Sequence, residues 1–387
     1  MKTLFYIWLL GVSYASNAQS TWVPLTTGLT SNIRDIDYFD ENNIYLIDDN
    51  YKLTTSVNAG LTYTTLPDAL HKYPPIEVLN EQSILLTTGS GDIYATSNGG
   101  VDWDVQFTSC SCLMTAIGFT DANHGIASGL GGVYYTENGG TNWDLKDDLP
   151  IFGAAQIESF VGGKIILIDD FSVYVSNDHG QSFTTTLFDT LTENYFTGLS
   201  FYDINNGFIM TGDGILYSTN NGGATWELVS HNSFTSVSQM VFVDKLHGFL
   251  VQGNWKNFIY STNDGGVSWL LNYTVSEDIN KLKVTPNYIY AVGNSGMLLR
   301  YQITTTGIDS PATHTFNVYP NPASQTVYLD VPTPDFNYAI TNILGEVIIS
   351  GKLIANQQEI DISQLATGMY VIINNDNIRD NRVFIVE

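Results

Sequence analysis

Carboxylates greatly outnumber basic side chains in this 387-residue sequence, with 39 Asp and Glu against 14 Lys and Arg. The doublets Asp48–Asp49 and Asp169–Asp170 each follow an apolar run, and Glu193 lies in a polar stretch. Two carboxylates about 5–10 Å apart across a glycosidic bond are sufficient to hydrolyse it. Asp48, Asp169 and Glu193 are therefore the candidates for this chemistry. No other catalytic motif accompanies them, so we assign no catalytic residue.

The net charge and the two cysteines argue against several other kinds of binding site. A formal charge of −25 repels phosphate backbones, so we expect no nucleic-acid partner. The only two cysteines, Cys110 and Cys112, are separated by one residue, and no His-rich set completes a zinc site around them. We expect two loop cysteines or a local disulfide there, no metal site and no cofactor.

The elements that position these groups are marked by a short repeat. The pattern S/T-x-D/N-x-G-x-x-aromatic occurs six times, and its aromatic residues stand at 63, 103, 143, 183, 226 and 269, which are 40 to 43 residues apart. An Asx side chain that accepts backbone N–H groups, followed by Gly at positive φ, is typical of a tight turn between two strands. We assign this structural role to Asn58, Asn98, Asn138, Asp178, Asn221 and Asp264, with Trp103, Trp143, Trp226 and Trp269 wedged between neighbouring sheets.

A second pattern precedes several copies of the motif: an apolar strand, an Asp, a turn and another apolar strand, as at Asp121, Asp203 and Asp244. Each repeat thus contains about four short strands, the content of one blade of a β-propeller. The last block lacks the motif and the strand after it, and Trp22 begins a stretch that resembles the strand at Trp226. We infer that the N-terminal strand completes the last of seven blades and leaves no free edge.

The motif resembles the Asp-box, or BNR repeat, of sialidases, sortilin-type receptors and xyloglucan-hydrolysing propellers, and the longer pattern resembles photosystem II assembly factors. The resemblance implies a seven-bladed β-propeller over residues 19–303. Sialidases of this type require three arginines around the substrate carboxylate. The propeller region contains only Arg34 and Arg300, which argues against that activity.

In such a propeller the motif turns share one face, and the longer loops share the other. Aromatic side chains beside carboxylates on the second face suit stacking on sugars or capture of a peptide. The alternative is that the aromatic side chains cover apolar clusters and the Asp doublets are solvated turns. The candidate ligand-binding residues are Asp49, Tyr73, Asp170, Tyr195, Phe234 and Trp255.

The repeat stops after residue 303, and residues 304–315 form a linker of Thr, Gly, Ser and Pro. Residues 316–387 read as a small all-β sandwich of short strands. They resemble the type A C-terminal sorting domain of the type IX secretion system of Bacteroidetes, which implies an Ig-like fold and the outer-membrane secretion machinery as a partner. The residues that carry the resemblance are Tyr319, Pro320, Asn321, Pro322, Gly345, Gly368 and Tyr370.

The N-terminus has the pattern of a signal peptide over residues 1–18, with a basic start, a short apolar run and small residues before the cut. No later apolar run has the ~18 residues that a membrane span requires. We therefore expect a secreted or outer-membrane surface protein. The leading hypothesis is a binding module for a protein or glycan; the alternatives are a secreted glycoside hydrolase and a passive structural component.

Overall fold

The computed structural model describes residues 21–66, 72–88, 90–108, 113–149, 151, 156–187, 195–232, 234, 236–252, 257–303, 317–320, 322–330, 336–342, 347–355, 357–374 and 377–386. Within these ranges the regular structure consists of β-strands and one short 3-10 turn at Asn294–Gly296. The all-β class expected from the sequence is confirmed. Glu193, Trp255, Asn321, Gly345, both cysteines and the signal segment lie outside the described residues.

The strands up to residue 303 form seven antiparallel sheets of four strands, numbered here in chain order. Strand β1 (Trp22–Pro24) comes first and belongs to the last sheet. Sheet 1 contains β2 (Ile33–Tyr38), β3 (Ile44–Asp48), β4 (Leu53–Ser56) and β5 (Thr64–Thr65). Sheet 2 contains β6 (Lys72–Val78), β7 (Ile84–Thr88), β8 (Ile93–Thr96) and β9 (Asp104–Phe107). Sheet 3 contains β10 (Met114–Phe119), β11 (Gly125–Gly129), β12 (Gly132–Thr136) and β13 (Asp144–Leu145).

The later sheets repeat this order. Sheet 4 contains β14 (Gln156–Phe160), β15 (Lys164–Ile168), β16 (Ser172–Ser176) and β17 (Thr184–Leu187). Sheet 5 contains β18 (Phe196–Phe201), β19 (Gly207–Thr211), β20 (Ile215–Thr219) and β21 (Glu227–His231). Sheet 6 contains β22 (Val237–Phe242), β23 (Gly248–Gln252), β24 (Phe258–Thr262) and β25 (Leu270–Thr274). Sheet 7 contains β26 (Ile279–Val284), β27 (Tyr288–Gly293), β28 (Leu298–Gln302) and β1.

Strand β1 pairs antiparallel with β28, so that Trp22 lies opposite Tyr301. The Trp22 side chain is only 3% exposed. Its ring meets Phe249 of sheet 6 edge-to-face at 5.8 Å, and its Nε1 donates to Asn272 Oδ1 at 3.1 Å. This residue therefore joins sheet 7 to sheet 6 as well as completing sheet 7.

The apolar core is divided into clusters that each lie between two consecutive sheets. Sheets 7 and 1 share such a cluster too, which includes Ile33, Ile36, Tyr290 and Leu298. The first strands of consecutive sheets also contact one another, and β26 of sheet 7 contacts β2 of sheet 1. Because one face of a four-stranded sheet cannot be buried by the sheet alone, every sheet depends on two neighbours.

Polar side chains connect the first strands across these junctions. Each first strand is an edge of its sheet, so its outward N–H groups need acceptors from elsewhere. Asp37 Oδ2 accepts from the N–H of Val78 at 2.7 Å, and Ser200 Oγ accepts from that of Phe242 at 2.8 Å. Equivalent bonds link Asp35 to Ile76, Glu77 to Phe119 and Gln156 to Leu199. The partners are 41 to 43 residues apart, close to the length of one repeat, so consecutive sheets have the same orientation.

The C-terminal residues form two further sheets. One contains β29 (Asn317–Tyr319), β30 (Thr326–Asp330) and β33 (Gln357–Asp361). The other has the order β32 (Val347–Leu353), β31 (Phe336–Asn342), β34 (Gly368–Asn374) and β35 (Asn377–Val386). A single cluster of buried residues from both sheets, including Val327, Leu329, Ile340 and Ile372, holds them together as a small β-sandwich.

Candidate functional site

The six motif turns are closed by the hydrogen bonds of their own side chains. Asn58 Oδ1 accepts from the N–H of Thr62 at 2.9 Å and from Ser56 Oγ at 3.0 Å, and Ser56 Oγ accepts from the N–H of Gly60 at 2.8 Å. The same three bonds form around Asn98, Asn138, Asp178, Asn221 and Asp264. These side chains are engaged in shaping the backbone, as the turn interpretation requires.

The motif tryptophans lie in the apolar clusters between neighbouring sheets and also contact residues of their own sheet. Trp226 and Trp269 donate from Nε1 to Gly223 O and Gly266 O at 3.1 and 3.2 Å, and Trp103 does so to Gly100 O at 3.0 Å. Trp143, Trp226 and Trp269 also meet Phe119, Phe201 and Phe242 edge-to-face at 5.8–5.9 Å. In sheets 3, 5 and 6 the rings thus connect the motif turn to the end of the first strand.

A second turn lies beside each motif, between the first and second strands. Asp121 Oδ1 accepts from the N–H groups of Asn123 and His124 at 2.7 and 2.8 Å, and Asp203 and Asp244 do the same in sheets 5 and 6. The fourth motif residue donates its N–H to this turn, as Gly139 does to Asn123 O at 2.8 Å. We call this end of the seven sheets the motif face, and the opposite end the loop face.

Two of the three candidate catalytic carboxylates hold turns on the loop face. Asp48 is 2% exposed; its Oδ1 accepts from the N–H groups of Asn50 and Lys52, and its Oδ2 from the Ser31 hydroxyl. Asp169 Oδ1 accepts from two backbone N–H groups, and its Oδ2 accepts from the Tyr174 hydroxyl at 2.9 Å. Both oxygens of each carboxylate are therefore occupied.

Both arginines of the seven-sheet region are also engaged. Arg34 binds the Asp49 carboxylate through Nε and Nη2, and this hydrogen bond holds the pKa of Asp49 below its usual range despite burial. Arg300 donates from Nη1 to Ala59 O at 2.7 Å and lies 4.5 Å from the centre of the Tyr288 ring. Asp49 is thus one half of an ion pair that braces sheet 1.

Three of the predicted ligand-binding residues lie in connected loops of the loop face: Asp170, Tyr195 and Phe234. Asp170 O accepts from the N–H of Phe196, and Tyr195 O accepts from that of Gly212 at 3.0 Å. Phe234 lies beside the Gly212–Gly214 turn, but it packs on Tyr260 and Trp269 as part of a core cluster. Asp170 is exposed, and Tyr195 is 56% exposed. Tyr73 is in β6, but its side chain is outside the described part of the structure. Trp255 is outside the described residues altogether.

Charged side chains lie on the first strands of sheets 1, 2, 4 and 7. Lys283 Nζ of sheet 7 lies 2.6 Å from Asp37 Oδ1 of sheet 1. Burial, followed by repulsion from Asp37, raises the pKa of Glu77 to about 8, and burial raises that of Glu158 of sheet 4 to about 7 against the attraction of Lys283. Burial opposes the charge of Lys283, but Asp37 and Glu77 outweigh it and hold its pKa above the usual range.

His179 is a residue that the sequence analysis did not single out. It occupies the fourth position of the motif, where the other copies have Gly or Ala, and it keeps the positive φ of 62° that the turn imposes. Its ring lies against His124 of sheet 3, with 4.4 Å between the ring centres. Its Nδ1 lies 3.4 Å from Asp121 Oδ2. The other motif copies have only Gly or Ala at this position, so the His in the fourth copy is the sequence feature that could have indicated this cluster.

The sorting-motif residues that the structure describes lie in the C-terminal sandwich. Tyr319 ends β29 and stacks on Tyr328, with 5.8 Å between the ring centres. Gly368 begins β34, and the Tyr370 side chain is buried, with its hydroxyl donating to Ala366 O at 3.0 Å. Pro320 and Pro322 follow β29, and Pro322 is exposed. These residues shape the ends of the two sheets.

Comparison with known protein families identifies the C-terminal part of the chain. Residues 317–387 match the family described as the secretion system C-terminal sorting domain. This confirms the prediction of a type IX sorting tail. The tail indicates secretion through that machinery and placement at the outer-membrane surface. None of the helices in the described residues is long and apolar enough to cross a membrane.

Comparison with solved structures identifies the fold of the remainder. YCF48 bound to D1 peptide superposes with a TM-score of 0.60 at 16% identity, covering 73% of this chain and 97% of that one. PorZ, a surface component of the type IX secretion system of Porphyromonas gingivalis, gives 0.54 at 14%, covering 92% and 59%. The GH74 enzyme of Niastella koreensis gives 0.56 at 11%, covering 94% and 74%. The seven-sheet region thus has a β-propeller fold. A comparison with curated proteins finds no match.

Proposed function

We propose that the seven sheets are the blades of one closed β-propeller, which the C-terminal tail exports to the cell surface as a ligand-binding module. The pairing of β1 with β28 and the apolar cluster between sheets 7 and 1 support closure. The contact of β26 in sheet 7 with β2 in sheet 1 supports it as well, because it joins the last sheet to the first. In this proposal the repeated motif is the Asp-box, and the tail is an Ig-like sandwich.

The observation that carries the binding function is an exposed aromatic run on the loop face. Phe171 is 50% exposed and Tyr195 is 56% exposed, and the Phe196 N–H to Asp170 O bond of 2.9 Å joins the two loops that carry them. Large aromatic side chains left in water on a rigid scaffold are typical of a binding surface. On the motif face the Asx side chains are instead engaged by the turns, and the large exposed apolar side chains of the motif turns are aliphatic, such as Val57 and Leu61.

We propose a polypeptide as the ligand, with a glycan as the alternative. The exposed carboxylate of Asp170 stands next to Phe171 in the chain, and the protein carries a formal charge of −25. A segment with basic and apolar residues would satisfy both features. The D1 peptide in the YCF48 structure is a precedent for a peptide ligand on a propeller of this shape. We do not propose glycoside hydrolysis, because Asp48 and Asp169 are occupied by turn hydrogen bonds.

The test is binding of the mature full-length chain to a peptide library rich in basic and aromatic residues and to a glycan array. The F171S/Y195S double variant should weaken peptide binding about 10- to 100-fold, since aromatic anchors dominate such surfaces. The matched control is V267S, which removes a side chain 60% exposed in a motif turn. Hits confined to glycans would change the ligand class. Hits insensitive to F171S/Y195S would overturn the loop-face assignment.

A further inference from the structure

The cluster at the junction of sheets 3 and 4 contains three potential metal ligands. Asp121 and His124 belong to the first turn of sheet 3, and His179 belongs to the motif turn of sheet 4. One ligand atom from each lies within 4.8 Å of the others. We propose that Asp121, His124 and His179 bind a divalent transition-metal cation, with Zn²⁺ as the ion that fits this donor set.

The donor types agree with zinc. Imidazole nitrogens with one carboxylate oxygen are common zinc ligands, and bonds of about 2.0–2.2 Å in a tetrahedron place ligand atoms roughly 3.3 Å apart. Asp121 Oδ2 lies 2.9 Å from His124 Nδ1 and 3.4 Å from His179 Nδ1. The three ligand atoms lie within 4.8 Å of one another, so a rearrangement of the side chains would bring all three to one ion. His179 Nδ1 would exchange its 2.8 Å contact with Thr120 Oγ1 for the ion.

The Asp121 carboxylate is held in position by its own turn. Asp121 Oδ1 accepts the two backbone N–H groups of its turn, which leaves Oδ2 directed at the imidazoles. The Asp121 side chain is 9% exposed, whereas His124 and His179 are 28% and 29% exposed. The two rings thus leave an opening to solvent, through which an ion can enter and a water molecule can complete the coordination.

The position of His179 is difficult to explain by the turn alone. The other five motif copies have Gly or Ala at this residue, each with a positive φ between 55° and 74°. A residue with a large side chain is strained in this conformation, and Gly would relieve the strain. A ligand that both imidazoles share would offset that strain.

The chain offers matched variants. H179G restores the residue found in four other motif copies. H124N copies sheet 5, where Asn206 Nδ2 lies 2.9 and 3.0 Å from the Asp203 oxygens, as His124 Nδ1 lies from those of Asp121. H247N is the control, because the Asp244–His247 pair has the same geometry but no third ligand among the described residues.

The experiment uses the full mature chain without a histidine tag, stripped with a chelator and titrated calorimetrically with ZnCl₂. Wild type and H247N should bind about one equivalent, and Co²⁺ should give the visible absorption of a nitrogen–oxygen tetrahedral site. H179G and H124N should each lose about 100-fold in affinity, because one of three protein ligands is gone. Equal binding by wild type, H179G and H124N would overturn the proposal, as would no binding by wild type or a loss confined to H247N.

Discussion

The turns at Asp121–His124 and Asp244–His247 have the same local structure in different surroundings. In both, the Asp Oδ1 accepts two backbone N–H groups, and the His Nδ1 lies 2.9 and 3.0 Å from the carboxylate oxygens. The Asp121 side chain is 9% exposed and that of Asp244 is 45% exposed. His179 of the next sheet lies against the first pair, whereas the sheet next to the second pair has no motif turn.

This comparison shows how a repeat protein acquires a site. The turn itself is a structural element of the repeat, and it recurs wherever an Asp precedes the second strand. A single substitution in the neighbouring motif, His for Gly, converts one copy into a potential cation site. The junction between two repeats, and not the repeat, is therefore the unit in which this chemistry arises.

The largest effect expected from this comparison is the transfer of the site to another junction. Asn206 and Gly265 hold the corresponding positions in sheets 5 and 6, and both line a cavity of about 360 Å³. In an H179G background, N206H/G265H should raise zinc affinity about 100-fold over the parent, because it supplies two imidazoles beside Asp203. Calorimetric titration measures this. The single variant N206H should not bind, and binding by N206H alone would show that the second imidazole is dispensable.

An intermediate effect is expected when the two carboxylates are removed. D121A should lower the free energy of unfolding by about 2–3 kcal/mol, because it leaves buried N–H and imidazole groups without an acceptor. D244A should cost only about 1 kcal/mol, since water can replace its more exposed carboxylate. Urea unfolding in the presence of a chelator measures both. Equal losses would mean that His179 does not alter the energetics of the turn.

The smallest effect is expected in the pH dependence of stability. The groups that face His179 are Asp121, His124, Asp178 and the Thr120 hydroxyl, and the pKa of His179 is lowered chiefly by burial. Below the unfolded pKa of about 6.5, the unfolded chain binds a proton that folded His179 does not bind. The free energy of unfolding therefore decreases as the pH is lowered from about 6.5 towards the folded pKa of His179. Metal-free H179G should therefore lose less stability between pH 7 and 5 than wild type. H247N is the control, and a steeper loss in H179G would contradict the assignment.

The sequence predicts the fold better than it predicts the site, for a physical reason. The motif turns could be predicted because Asx and Gly act locally: the bonds of Asn58 reach no further than Thr62. The same locality made the catalytic candidates ambiguous. An Asp after an apolar run is compatible with chemistry or with a turn, and only the bonds of Asp169 to its own loop decide between them. From the sequence, Phe234 is likewise compatible with an exposed ligand-binding side chain, and only its packing on Trp269 shows that it belongs to a core cluster.

The cluster around His179 could not be predicted from the sequence, for a different reason. His124 and His179 are 55 positions apart and belong to different repeats. Their contact depends on how neighbouring sheets align, which the pattern within one repeat does not encode. Once the fold is known, the odd residue at a motif position becomes informative, because its neighbour can be named.

The pairing of Trp22 with Tyr301 also constrains how the molecule is made. The first strand that the structure describes has no partner until residues 298–302 have left the ribosome, so sheet 7 is finished last although it contains that strand. Until then the growing polypeptide exposes two unsatisfied sheet edges at once, and edges of this kind template aggregation. Protein that awaits export is therefore safest when its final repeat is complete, with only the sorting tail following behind.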